Sequence, residues 1–196
     1  MKEKTNGVDA NKTKVITDKV RFSYLHVFEA VAMEGQTGDK KYSVSLIIPK
    51  KNKALVKKIR DAIEIAKDLG KSSKFNGKLP SNLKIPLRDG DVERPDDEAY
   101  KNCWFVTASS KTKPGLVDTD LDPIMSQDDL KSGDYGRASI NFYPFNSAGN
   151  KGIACGLNNL MKLEDGEALS GRPSAEEDFG EFSKAGGDDD EDDDLI

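Results

Sequence analysis

Apolar residues recur along this chain with two periods, and the places where the period changes divide it into strands, one helix and long polar connections. Across residues 19–25, Val20, Phe22 and Tyr24 alternate with Arg21 and Ser23, which predicts a strand with the two sets on opposite faces. Residues 27–33 are apolar without a clear period, and Gln36-Thr37-Gly38-Asp39 reads as a hairpin turn. The clearest strand follows: Tyr42, Val44, Leu46 and Ile48 share one side, Lys41, Ser43 and Ser45 the other. Over 52–69 the spacing lengthens to three and four, with Leu55, Val56, Ile59, Ala62, Ile63, Ala66 and Leu69 forming one stripe. This predicts an amphipathic helix with Asn52 as N-cap and Gly70 just past its end. Its other face mixes Lys53, Lys57, Lys58, Arg60 and Lys67 with Asp61, Glu64 and Asp68, a solvated surface.

Residues 71–97 are loop-rich, with Pro80, Pro86 and Pro95 and the turn pairs Asn76-Gly77 and Asp89-Gly90. Here Lys71, Lys74 and Lys78 surround Phe75, a basic and aromatic loop able to close over a strand of nucleic acid. Residues 102–108 form a strand with apolar side chains on both faces, as expected of a central position; it holds the sole Trp of the chain, Trp104, for which a core position is expected first. A basic turn at 111–115 leads into a long acidic loop at 116–132.

The most informative stretch is 134–163, which reads as a hairpin. Ala138, Ile140 and Phe142 fall on one side, Arg137, Ser139, Asn141 and Tyr143 on the other. Pro144 cannot donate to a ladder and is expected to end the strand, with a turn at 146–150 and a return strand after it. The open side combines a guanidinium, hydroxyl and amide groups and a ring. That mixture suits a single nucleic-acid strand, phosphate on Arg and base on a flat ring, although an ordinary wet antiparallel face has the same pattern.

Charge changes the picture only when it is divided. The net −5 conceals residues 164–196, with 14 acidic and 2 basic side chains, and residues 1–163, with 28 basic and 21 acidic. A body of +7 therefore carries an end of −12, an asymmetry that points to a polyanionic partner for the body. Residues 1–12 are expected to be a disordered arm, 13–168 a folded domain, 169–187 a flexible linker and 188–196 an acidic tail, whose adjacent carboxylates repel one another. The run Asp192-Asp193-Asp194 is followed by Leu195-Ile196, an apolar pair that could enter a partner's pocket while the carboxylates meet basic residues around it. A tethered polyanion should also compete with DNA for the basic body.

No run approaches 18 apolar residues and the start lacks an apolar signal segment, so a cytoplasmic protein without membrane partners is expected. Cys103 and Cys155 lie in strand patterns without a CxxC pair, and His26 has no ligand-spaced partner; neither a disulfide nor a metal site is expected.

The segments 42–50, Leu87-Arg88-Asp89-Gly90-Asp91, 137–143 and 152–159 resemble the phage-encoded single-stranded DNA-binding proteins long filed as a domain of unknown function. The resemblance covers roughly residues 14–170. It implies a mainly β chain: an OB-fold-like, five-stranded antiparallel barrel with one amphipathic helix and a disordered acidic tail. It also implies sequence-tolerant binding of single strands in the replication or recombination of phage DNA inside the bacterial host, without catalysis or cofactor. Phage or host replication proteins would be recruited by the tail, and a homo-oligomer is open. The tail is similar in logic to that of bacterial single-stranded DNA-binding proteins but lacks their terminal Pro-Phe.

Arg137 and Tyr143 are the leading contact residues, with Lys41 and Arg21 expected beside the hairpin. Tyr24, Tyr42, Trp104, Tyr135 and Phe145 are stacking candidates, with the core the first expectation for Tyr42 as for Trp104, and Lys111 and Lys113 supply a basic turn. Two other readings stand beside this one. A metal-dependent nuclease would need Asp89 and Asp91 assembled with Asp118 or Asp122, and an acidic-tailed adaptor would ignore DNA.

Overall fold

The strands pair into a ring. In this computed structural model, which describes residues 11–32 and 38–169, they are β1 (Lys14–Ile16), β2 (Val20–Val31), β3 (Lys41–Pro49), β4 (Leu87–Asp89), β5 (Cys103–Ser110), β6 (Gly115–Val117), β7 (Tyr135–Ser147) and β8 (Asn150–Glu164). The expected arm through residue 10, part of the first turn, and the linker and tail from 170 onward lie outside the described residues. β2 pairs with β7 and β3, β3 with β5, β5 with β8, and β8 returns to β7, so five strands close on themselves. All these pairings are antiparallel except β5–β8, which meet in parallel at Ser109 and Gly156. Short β1, β4 and β6 add to β7, β5 and β8.

The ring is filled by one side of each strand. Val20 and Phe22, Val44, Leu46 and Ile48, Val106 and Ala108, Ala138, Ile140 and Phe142, and Ile153, Cys155 and Leu157 are all buried in one cluster. Helix α1 (Lys53–Ser73) adds Leu55, Ile59, Ala62, Ile63 and Ala66 to it. Burying side chains such as Phe22, Leu46 and Ile140 contributes about 1.5–3 kcal/mol each relative to exposure.

Several expectations are corrected by tertiary contacts. Asn52 caps α1 by accepting from the Leu55 N–H (3.2 Å), but the helix runs through Gly70 to Ser73. Gly70 lies inside it because the ring of Phe75 folds back where a Cβ would stand, and both Lys74 and Phe75 donate their N–H groups to its carbonyl. Phe75 is consequently core, 4% exposed, and not a ring waiting over a nucleic acid. β7 passes through Pro144, which pairs with Ile153, and turns only at Ala148-Gly149, both in the left-handed region. Phe142 donates outward to Thr13, so the Pro144 nitrogen two residues on points to the same side, beyond the start of β1, where no ladder bond is lost.

Tyr24 does not share a face with Val20 and Phe22. It sits at φ 46 where the β2–β3 register shifts between Ser23 and His26, and its ring is 50% exposed. A bulge of this kind re-aims a side chain, which simple alternation cannot foresee. Ser43 and Ser45, on the polar side of β3, are buried as well. The segment 90–100, with helix α2 (Gly90–Glu93) and a 3-10 turn (Glu98–Tyr100), lays Tyr100 on the outer side of β3 and β5. There the Tyr100 hydroxyl meets Ser45 Oγ at 3.0 Å, and its ring meets Phe105 edge-on at 5.1 Å.

Candidate nucleic-acid interface

On the outer side of the β7–β8 hairpin the expected alternation holds. Arg137 is exposed and Tyr143 is 41% exposed, whereas Ala138, Ile140 and Phe142 point inward. The small residues opposite them keep this face low. Tyr143 pairs with Ala154, Asn141 packs over Gly156, and the Phe145 ring lies against Gly152. β1 widens the face on the other edge, setting Lys14 beside Asn141 and Ile16, 59% exposed, beside Ser139. Partial burial, with a lesser push from nearby Cys155, holds the Tyr143 phenol above its ordinary pKa. Arg137 donates to the Thr17 carbonyl at 3.4 Å, a long bond that leaves most of its guanidinium donors for a phosphate.

The base of this face is built differently. Arg21 pairs in register with Tyr135, and its guanidinium lies 5.4 Å from that ring while Lys19 Nζ lies 5.5 Å away. Arg21 also donates to the carbonyls of Gly133 (3.0 Å) and Glu167 (2.8 Å), fastening the chain as it leaves β8. Beneath it sits Asp134, fully buried, which accepts from the N–H groups of Lys131 (2.9 Å) and Gly166 (3.1 Å) and faces Lys162 at 3.3 Å. Burial pushes this carboxyl up, but those N–H groups and the Lys162 ammonium outweigh it and leave the pKa below the usual value. Sequence reading missed Asp134, since one Asp before a strand carries no signal of its partners.

The remaining candidates are scattered. Lys41, expected beside the hairpin, is not there: β3 lies between β2 and β5, away from β7 and β8. Lys41 and Tyr42, both half-buried, open β3 near Lys111, which pairs with Asp39 at 2.6 Å. Lys113 Nζ stands 6.0 Å from the Phe28 ring. Tyr24 lies under Arg94, whose guanidinium is 4.7 Å from its ring, 5.0 Å from Tyr100 and 5.3 Å from Phe105, with a 3.0 Å bond to the Tyr24 hydroxyl. Arg94 was not foreseen; its place in a Pro-rich loop suggests only exposure. Trp104 is half-buried, with Lys50 at 5.2 Å and Arg60 at 5.0 Å from its ring.

Asp89 and Asp91 both turn to Lys50, each at 2.7 Å, and Asp118 accepts from the N–H groups of Asp120 and Asp122 in its own loop. Among the described residues no three His, Cys, Asp or Glu side chains come together as a metal site would need, and no helix is long and apolar enough to cross a membrane.

An OB-fold presents ligands to its second and third strands and to the loops after strands one and four. Among the described residues those are β3, β5 and the Ala148-Gly149 turn. Tyr100 and Arg94 cover part of the β3–β5 face, whereas the hairpin leaves Arg137 and Tyr143 exposed.

These features define an oligonucleotide-binding type of ring, and the comparisons agree. The family model described as the ssDNA-binding protein of Enterobacter phage Enc34 matches residues 13–196, and the chain belongs to that family of phage single-stranded DNA-binding proteins, which are not enzymes. It is 30% identical over 181 residues to protein p50 of Acyrthosiphon pisum secondary endosymbiont phage 1, covering 88% of this chain and 95% of that one. The single-stranded DNA-binding protein from bacteriophage Enc34, solved in complex with ssDNA, superposes with a TM-score of 0.72 at 26% identity, covering 87% of this chain and 97% of that one. The single-stranded DNA-binding protein gp2.5 of bacteriophage T7 shares the fold, with a TM-score of 0.55 at 14% identity over 82% of this chain and 97% of that one.

Proposed function

We propose that this chain binds single-stranded DNA without sequence preference during phage DNA replication or recombination, in the cytoplasm of the bacterial host. The observation that carries this reading is the family membership of a ring whose hairpin leaves Arg137, Tyr143 and Phe145 on one low, open face. Phosphates meet Arg137 and Lys14, bases stack on Tyr143 and Phe145, and the strand continues toward the Tyr135 ring flanked by Lys19 and Arg21. Apart from the hairpin, Lys41, Lys111 and Lys113 supply further cations and Tyr24 a further ring for the same strand.

The folded domain of 13–168 is followed by the linker and the acidic tail, which gates it. Leu169, the last described residue, packs on the Ile47, Tyr100 and Phe105 cluster. DNA displaces the tail, and Asp192-Asp193-Asp194-Leu195-Ile196 then recruits a replication or recombination partner. Binding of an oligo-dT to the full chain and to a chain ending at Gly187, across a salt series, tests both parts. Affinity that falls steeply with salt and is higher for the shorter chain is expected. Failure of both chains to bind at low salt overturns the DNA reading, and equal affinities overturn the gating.

A further inference from the structure

The two ends of β8 carry surfaces of opposite chemistry that nothing in DNA binding uses. Near Gly152, which bridges to Lys84, a cleft of about 360 Å³ is lined by Arg60, Ile63, Glu64, Lys67, Ile85, Leu87 and Trp104; Lys67 is paired with Glu64 at 2.5 Å, which leaves Arg60, over the Trp104 ring, as its unbalanced charge. It opens in a stretch, residues 69–88, with Lys71, Lys74, Lys78, Lys84 and Arg88 and no acid. Ile85 is 38% exposed at its mouth. Past the other end, where β6 pairs with Asn159–Met161, residues 117–129 carry Asp118, Asp120, Asp122, Asp128 and Asp129 and no base.

This acidic loop has a fixed shape and a solvent-facing apolar tip. Asp118 donates its N–H to the Asp122 carbonyl (3.0 Å), Leu121 donates to the Asp118 carbonyl (3.2 Å), and Val117 bridges to Pro123. The loop holds Leu121 at φ 66, with its side chain 66% exposed, and Met125 is 82% exposed beside it. Two large apolar side chains in water on a rigid loop bury nothing in this chain, as residues kept for a partner do.

We infer that the cleft at Trp104 receives the Leu121 loop of a second copy of this chain. The apolar pair Leu121 and Met125 fills the cleft between Ile85, Leu87 and Trp104, and the aspartates meet Arg60 at its wall. A single chain cannot satisfy itself this way: from Gly152 to Met161 the extended strand spans roughly 30 Å, so loop and cleft face opposite ends. A head-to-tail contact of this kind does not close and instead generates an open row. On a single strand of DNA such a row is cooperative binding, and in that consequence the inference rests on the proposed function.

The test uses the full chain with Leu121 replaced by photoreactive p-benzoylphenylalanine, an exposed site whose change spares the core. Irradiation with and without oligo-dT, on a mixture of isotopically light and heavy protein, is expected to give heavy–light cross-links on peptides holding Ile85 or Trp104. In parallel, Leu121→Asp and Arg60→Asp are expected to weaken binding to a long dT lattice by about tenfold or more and to leave binding to an oligonucleotide that holds one protein unchanged. Cross-links that map to the acidic tail or any other surface, or none between copies, overturn the contact, as does unchanged affinity of both variants for the long lattice. Loss of short-oligonucleotide binding by the unmodified chain strikes the DNA-binding reading instead, while the cross-link without DNA still decides the contact.

Discussion

The outer sides of β3 and of β7 are written in nearly the same code and end in opposite environments. Ser43 and Ser45 alternate with Val44 and Leu46 as Ser139 and Asn141 alternate with Ala138 and Ile140. On β7 Asn141 stays half-exposed between exposed Arg137 and Tyr143, and only the Ser139 hydroxyl is shut off from solvent; on β3 both serines are buried, Ser45 against the Tyr100 hydroxyl. The difference is made by residues 90–100, which cross the β3–β5 face and leave the hairpin bare. A polar alternation marks a strand that can afford a wet face, and a segment far away in sequence decides whether it has one.

The largest expected effect separates the covered face from the open one. Tyr100→Ala removes a fully buried ring and its bond to Ser45, and should cost about 3–5 kcal/mol in urea denaturation, with the hairpin's DNA contacts kept in the fraction that stays folded. Next comes Asp134→Asn at the foot of the hairpin, which leaves Lys162 facing a neutral partner and should cost about 1–3 kcal/mol near neutral pH. Because the folded-state pKa of Asp134 is lowered, its contribution is complete above the ordinary carboxyl value of 3.8 and lost as pH falls through the lower folded one. The stability gap between the native chain and this variant should therefore narrow as the denaturation is repeated at increasingly acidic pH. A gap that does not change with pH would mean that Asp134 is not held charged.

On the open face the expected signature is reversed. Tyr143→Ala should weaken oligo-dT binding by about 1–3 kcal/mol, yet shift the denaturation midpoint little, since the ring is 41% exposed. Arg137→Ala should reduce the slope of log affinity against log salt by about 1 with a small loss of affinity. The smallest effect sharpens the same contrast: Lys111→Ala, at a cation already paired with exposed Asp39, should change binding only a few-fold by fluorescence titration.

Much of the architecture was legible in the chain's own pattern. The strands around Tyr42–Ile48, Asn102–Ala108 and the final hairpin, and the helix capped by Asn52, follow from period and capping alone. What was hidden depends on distant partners. Gly70 reads as a helix stop until Phe75 folds against it, and Pro144 reads as a strand stop until its nitrogen is seen to face outward beyond β1. The bulge that re-aims Tyr24, and Arg94 stacked above it, belong to the same class. Of the candidate contact residues, Arg137 and Tyr143 could be grouped by period, Phe145 joins them only because β7 runs on through Pro144, and Arg21 is joined to them through Tyr135. Lys41 could not be, because order around a ring is not written in the spacing along a strand.

The most direct measurement is photo-cross-linking of a 5-iodouracil-substituted dT oligonucleotide to the full chain, with the adducts located by mass spectrometry. Adducts at Tyr143, Phe145 or Tyr135 are the predicted result. Adducts confined to Tyr24 and Trp104, with the hairpin untouched, would contradict the claim that its open face carries the strand.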